Sequence, residues 1–284
     1  MSLVLQSYCK VNLLLNILRR REDGFHELET IIQPVPLYDE LRIERVGQGI
    51  ELTCSDARLS VGEDNLVHRA ASLFLKKIEA DGVRIHLKKN LPLAAGIGAG
   101  SSNAAFTLRG LSEIFDKPLN ADELHEMASS LGSDAPFFLQ DNPALATGRG
   151  EIVKPLEPIA ALQGRGLLLI HPGFGVGTPW AYQSLATIPE AYGHEGQAAA
   201  MLQSLQAGEW VGSYNSLETP VFQKHLVLPV LKNFLTENGA PVTLMSGSGS
   251  TMFAITGNRP AAEALRAKYH EHFGQAGWSA TVAL

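Results

Sequence analysis

The sequence predicts an α+β fold in two lobes. Three observations carry this. Strand-like and helix-like segments are interspersed without the regular strand–helix alternation of a doubly wound sheet. The 284 residues are 45% hydrophobic and 18% charged, enough to bury a core without staples. A connector-like stretch from about Ile152 to Gly166 marks a soft boundary, so residues 1–158 and 159–284 are the two expected domains.

From Leu3 to Leu18, Cys9, Val11, Leu13, Leu15 and Ile17 alternate with Tyr8, Lys10, Asn12 and Asn16, the period of a strand with one polar face. Asp23-Gly24 supplies turn chemistry, and Phe25 to Leu37 reads as a second extended segment cut by Pro34 and Pro36. Asp64 is placed to cap a helix through Leu66, Ala70, Leu73 and Ile78, and Val83 to Lys88 alternates as a strand. Ala104, Ala105, Leu108, Leu111 and Phe115 recur at helical spacing. Asn120 with Glu123 then makes a capping-box start for a helix that Gly132 ends. Beyond the boundary the pattern predicts a short buried strand at Leu167 to Ile170 and an interrupted helix over Pro179 to Leu205. It continues with a helix from His225 to Asn238, a hairpin over Pro241 to Thr256, a helix from Pro260 to Phe273 and a last strand at Trp278 to Leu284.

The formal charge, 23 Lys+Arg against 29 Asp+Glu, is −6, which argues against a nucleic-acid binder and makes any phosphate site local. Cys9 and Cys54 are too few for a disulfide framework. The N-terminus is apolar but has no basic leader, and the longest uncharged stretches are rich in Gly, Ser and Asn. A soluble, cytoplasmic protein is expected, without a membrane partner. His270 and His272, two residues apart, do not share a helix face and read as surface residues, not a metal pair.

The segment richest in chemistry is Pro92-Leu93-Ala94-Ala95-Gly96-Ile97-Gly98-Ala99-Gly100-Ser101-Ser102-Asn103, between a strand and a helix. Glycines there allow backbone N–H groups to close on phosphate oxygens, and the amides and dipole of the following helix add favourable field. Ser101 and Ser102 add hydroxyls. The segment matches neither G-x-x-x-x-G-K-[ST] nor G-x-G-x-x-G. Taken alone, it also reads as a tight strand-to-helix turn capped by Ser102.

Three segments together resemble the GHMP kinase family of small-molecule kinases: Lys10-Val11-Asn12-Leu13; the loop just described with Gly132-Ser133-Asp134-Ala135-Pro136; and Ser246-Gly247-Ser248-Gly249-Ser250-Thr251. Within it, Asp23-Gly24-Phe25-His26-Glu27-Leu28, Asp64-Asn65-Leu66 and Asn215-Ser216-Leu217-Glu218 resemble the members acting on a cytidine-diphosphate-linked methylerythritol. The resemblance implies a two-lobed fold with mixed sheets and helices packed on them, and ATP-dependent phosphorylation of the substrate's 2-hydroxyl in non-mevalonate isoprenoid biosynthesis. ATP and Mg²⁺ are then the cofactors, with the metal ligands unassigned and the chain a monomer or homodimer.

The same resemblance makes Asp134 the general base and Lys10 its cationic partner, and places the residues from Pro92 to Ser102, with Asn65 and Lys89, around ATP. Asn12, Phe25, His26, Thr178 and Tyr182 are placed on the acceptor, with the base between the Phe25 and Tyr182 rings. The chain departs from the pattern in having alanines at 94, 95 and 99, expected at ordinary dihedrals, Phe25 in place of tyrosine, and Ser216 in place of an acidic residue. A homoserine, sugar or mevalonate kinase, or a silent nucleotide-binding relative, is the alternative.

Overall fold

A computed structural model describes residues 2–284. In chain order the elements are β1 (Ser2–Arg20), β2 (His26–Val46), β3 (Gly49–Cys54), α1 (Leu66–Ile78), β4 (Gly82–Lys88), α2 (Ala99–Ile114), α3 (Ala121–Leu131), β5 (Ala144–Gly148), β6 (Ile152–Pro155) and β7 (Gly166–His171). They continue with α4 (Thr178–Leu185), α5 (Gln197–Gln206), α6 (Glu218–Lys224), α7 (Val227–Glu237), β8 (Val242–Met245), β9 (Met252–Thr256), α8 (Arg259–Phe273) and β10 (Trp278–Ala283). Two compact units share this chain. One holds the chain up to Cys9, Pro36–Leu91 and Gly98–Asp141; the other holds Lys10–Val35, Pro92–Ile97 and Asn142–Leu284.

In the first unit β3 runs parallel to β4, and β4 pairs antiparallel with the second half of β2, Glu40 opposite Lys88. Helix α1 packs on α2 and α3. Its apolar face, with Val67, Ala70, Ala71 and Phe74 fully or almost fully buried, explains why it forms. The cap is Asn65, whose side chain accepts from Val67 N at 2.8 Å. Asp64, expected as the cap, instead accepts from Ser60 at 2.6 Å, because the register of the first turn is set one residue later. At α3 the Asn120–Glu123 capping box forms as its spacing requires. Gly110 of α2 lets that helix lie close to the strands, since an added Cβ would stand 2.5 Å from Ile43 and 2.7 Å from Leu5.

In the second unit the first half of β2 pairs antiparallel with β5, and β5 with β6, so part of the expected connector is strand. A second, all-antiparallel sheet has the order β10-β7-β9-β8. Leu168 and Ile170 of β7, Met252 and Ala254 of β9, and Leu15 and Ile17 of β1 share one core with Leu228, Leu231 and Leu235 of α7 and Leu265 of α8.

Strand β2 does not stop at Pro36. Both prolines lie between residues paired to β5 (28–32) and those paired to β4 (40–46), where no ladder N–H toward either strand is needed. No helix among the described residues is long and apolar enough to cross a membrane. Phe253 of β9 is fully buried, so Phe253→Ala is expected to cost about 3–5 kcal/mol, read as a fall in the urea midpoint.

Candidate active site

Within the second unit the first and third motifs converge on the front half of the glycine loop. Lys10 N donates to Ile97 O at 3.0 Å, Thr251 N to Ala95 O at 3.2 Å, and Ser246 Oγ to Gly96 O at 3.0 Å. The interlock depends on a missing side chain. Gly96 has φ +77°, and a Cβ there would stand 2.3 Å from Ser246 O and 2.8 Å from Gly249 N, so no other residue fits.

The polar face of β1 is not exposed: Lys10, Asn12 and Asn16 are buried. Lys10 Nζ donates to Asn12 Oδ1 at 2.6 Å and lies 3.4 Å from where a Cβ at Gly247 would stand. An ammonium is thereby fixed between the glycine loop's first half and the third motif. Asn12 donates onward to Thr30 at 2.8 Å, which orients the amide oxygen toward Lys10.

The segment from Asn215 to Glu218 carries a role that spacing alone does not reveal. Asn215 Nδ2 donates to both Met245 O and Gly247 O at 2.8 Å, and Glu218 accepts from Met245 N at 2.8 Å while pairing with Lys232. Burial pushes the Glu218 carboxyl upward, opposed by the Lys232 ammonium. These side chains hold the entry to the Ser246–Thr251 turn. Thr178, at the start of α4, touches the same turn through Ser248 Oγ at 2.9 Å.

Within the first unit the loop continues into α2. Gly98 caps it at φ +71° with no side-chain hydrogen bond, which leaves the first-turn amides for whatever the loop encloses. Free amides at the start of a helix suit a phosphate group. Gly132 ends α3 beside that turn, where an added Cβ would lie 3.7 Å from Ser101 Oγ. The partly buried Asp134 follows two residues on.

Ser102 is fully buried and its hydroxyl donates to Tyr8 O at 2.5 Å, so it serves packing, and Ser101 is the more open hydroxyl. Asn65 is buried as the α1 cap, and the Lys89 ammonium is paired with the Asp39 carboxylate. Among the described residues no group of three or more His, Cys, Asp or Glu is set to hold a metal.

Ala94 corrects an expectation: it sits at φ +51°, a left-handed conformation costing an alanine about 1 kcal/mol. Its neighbour Gly175 makes room for the methyl, since a Cβ there would stand 2.8 Å from the Ala94 Cβ. Ala99, by contrast, lies within the helix as expected.

The aromatic residues gather in the second unit. His26 is buried, 5.1 Å from the Tyr182 ring and bonded through Nε2 to Tyr192 OH at 3.1 Å. Burial, and then Arg20, holds its imidazole below the usual histidine range, so it is neutral at pH 7. Phe25 is half exposed, with the Arg149 guanidinium 4.6 Å from its ring centre. Tyr182 thus faces His26, and Phe25 faces Arg149.

The model of the GHMP kinases N terminal domain matches residues 65–142, and that of the GHMP kinases C terminal domain residues 196–275. A 4-diphosphocytidyl-2-C-methyl-D-erythritol kinase of Synechococcus sp. is 38% identical over 93% of this chain and 88% of its own length. The protein of that name from Moorella thermoacetica is 36% identical over 95% and 96%. The chain belongs to the GHMP kinase family. A crystal structure of 4-(cytidine 5'-diphospho)-2C-methyl-D-erythritol kinase superposes with TM-score 0.81 at 36% identity, covering 99% of this chain and 100% of the other. Mevalonate kinase of L. major, at TM-score 0.71 and 18% identity over 98% and 94%, shows the shared GHMP fold alone. As a kinase of this family, the chain is expected to lose nucleotide affinity more than tenfold on Gly96→Ala, about the cost of one displaced buried hydrogen bond. Gly47→Ala, where a Cβ meets nothing within 4 Å, is expected to leave it unchanged. Titration with a fluorescent ATP analogue checks both.

Proposed function

We propose that this GHMP kinase transfers the γ-phosphoryl of ATP to the 2-hydroxyl of 4-diphosphocytidyl-2-C-methyl-D-erythritol. The observation that carries the reading is the interlock of Ala95–Ile97 with Lys10 and Ser246–Thr251, a main-chain cradle with a buried ammonium beside it. Relatives bearing that enzyme's name over nearly the whole chain support the choice of acceptor. Residues 1–158 and 159–284 are the two proposed domains, and the family models fall on either side of 158.

Transfer of a phosphoryl group needs an aligned alcohol, stabilisation of charge on the phosphoryl oxygens and a destination for the alcohol proton. Residues from Pro92 to Ser102 enclose the triphosphate, the glycines and the α2 amides donating, while Asn65 and Lys89 shape the chain around the adenine. Lys10 stabilises the transferring charge and Asp134 accepts the proton from the 2-hydroxyl. Asn12 positions the acceptor's hydroxyls. Phe25, His26, Thr178 and Tyr182 hold the cytidine, with the neutral His26 ring reading the base edge and an aromatic face contributing about 1–3 kcal/mol of stacking.

Mg²⁺ would accompany the nucleotide in this reading and would neutralise charge on its phosphates. The acidic balance of −6 supports a protein that works on small molecules without nucleic acid, and we place it in the cytoplasm as a monomer or homodimer.

A coupled assay is expected to show ADP release with ATP and the cytidine-linked alcohol and none with mevalonate or homoserine; the reverse preference contradicts the assignment. Asp134→Asn is expected to lower kcat at least about 10²-fold with ATP affinity retained. Phe25→Ala is expected to raise KM for the acceptor about tenfold and leave KM for ATP unchanged, in steady-state kinetics.

A further inference from the structure

We infer that Asp39 is a positioning residue that holds both ends of the phosphate loop, acting with Lys89, Asn103 and Ser7. The inference rests on the reading of that loop as the ATP cradle. Asp39 stands on β2 and its side chain is fully buried. A carboxylate in such a place is very unfavourable unless its oxygens are fully engaged. Here they are engaged on the two stretches that flank the loop. Oδ1 accepts from Asn90 N at 2.8 Å and Leu91 N at 2.9 Å, the residues that lead into Pro92. Oδ2 accepts from Asn103 Nδ2 at 3.1 Å, the residue after Ser102.

The remaining partners complete the network. The Lys89 ammonium, itself 4% exposed, pairs with Oδ2. Ser7 Oγ donates to Asn103 Oδ1 at 2.7 Å, so the Asn103 amide is fixed at both its oxygen and its nitrogen. One carboxylate therefore sets the distance between the chain entering the loop and the helix turn leaving it. With those ends fixed at folding, ordering the loop costs less when a triphosphate binds. Lys89 then acts on the nucleotide through Asp39, as a support for the loop.

This arrangement predicts a selective effect. Removing the link to α2 should weaken ATP binding and leave the acceptor's KM unaltered, whereas a residue that merely stabilises the fold would move neither constant in protein that remains folded. The test measures ATP affinity by calorimetry, and both KM values, for the wild type, Asn103→Leu and Ser7→Ala. Asn103→Leu is expected to weaken ATP binding about tenfold, the size of a lost buried hydrogen bond, with acceptor KM within about twofold. Ser7→Ala is expected to shift ATP affinity in the same direction by about threefold, and it decides the matter where Asn103→Leu does not fold. Unchanged ATP affinity in the folded variants, or equal weakening of both substrates, overturns the inference alone. A wild type that binds no ATP overturns the reading of the loop and this inference with it. A wild type that binds ATP without turning over the cytidine-linked alcohol overturns the proposed substrate and leaves the affinity measurements to decide the role of Asp39.

Discussion

The packing of main chain against main chain at Gly96 is the constraint from which the site follows. Ser246 O and Gly249 N occupy the space where any side chain at position 96 would begin, and Ser246 Oγ closes on Gly96 O. Because backbone meets backbone there, the two glycine-rich turns lie against one another without a side chain between them at Gly96. Lys10 is drawn into the same place through its own backbone bond to Ile97, and its ammonium is fixed by Asn12. A buried cation beside main-chain donors is the kind of arrangement that stabilises a transferring phosphoryl group.

Within each unit, side chains fix the neighbouring main chain. In the second unit Asn215 and Glu218 hold Met245 and Gly247; in the first, Asp39 binds Leu91 and Asn103. Both supports are polar and well bonded, Asp39 accepting from several donors and Asn215 donating to two carbonyls, so each resists displacement and costs stability when one member is cut. The strained Ala94, accommodated by Gly175, shows that the loop's path is imposed by these surroundings and not by the intrinsic preference of its residues.

Local patterns were readable without coordinates. The alternation in β1, the Asn120–Glu123 box of α3 and the helical spacing of α2 and α8 depend on neighbours within a few residues, and each forms where expected. Strands β3, β5 and β6 and helix α6 did not announce themselves, because they are short and their patterns only make sense beside partners distant in sequence. The burial of Lys10 and the pairing of Lys89 with Asp39, fifty positions away in sequence, were hidden for the same reason. Motif resemblance gave the names of the site residues; only packing shows that Ser102 supports Tyr8, that Asn65 caps a helix, and that Asn215 grips the third turn.

If the loop at Gly96 and the turn at Gly247 form one phosphate cradle, both respond to the same bound nucleotide. Amide chemical shifts followed by NMR during titration with a non-hydrolysable ATP analogue test it most directly. The amides of Gly96 to Ser101 and of Gly247 to Ser250 are expected to move together with a single dissociation constant. Shifts confined to another region, such as the surface groove lined by Arg266, His270 and Trp278, would contradict it.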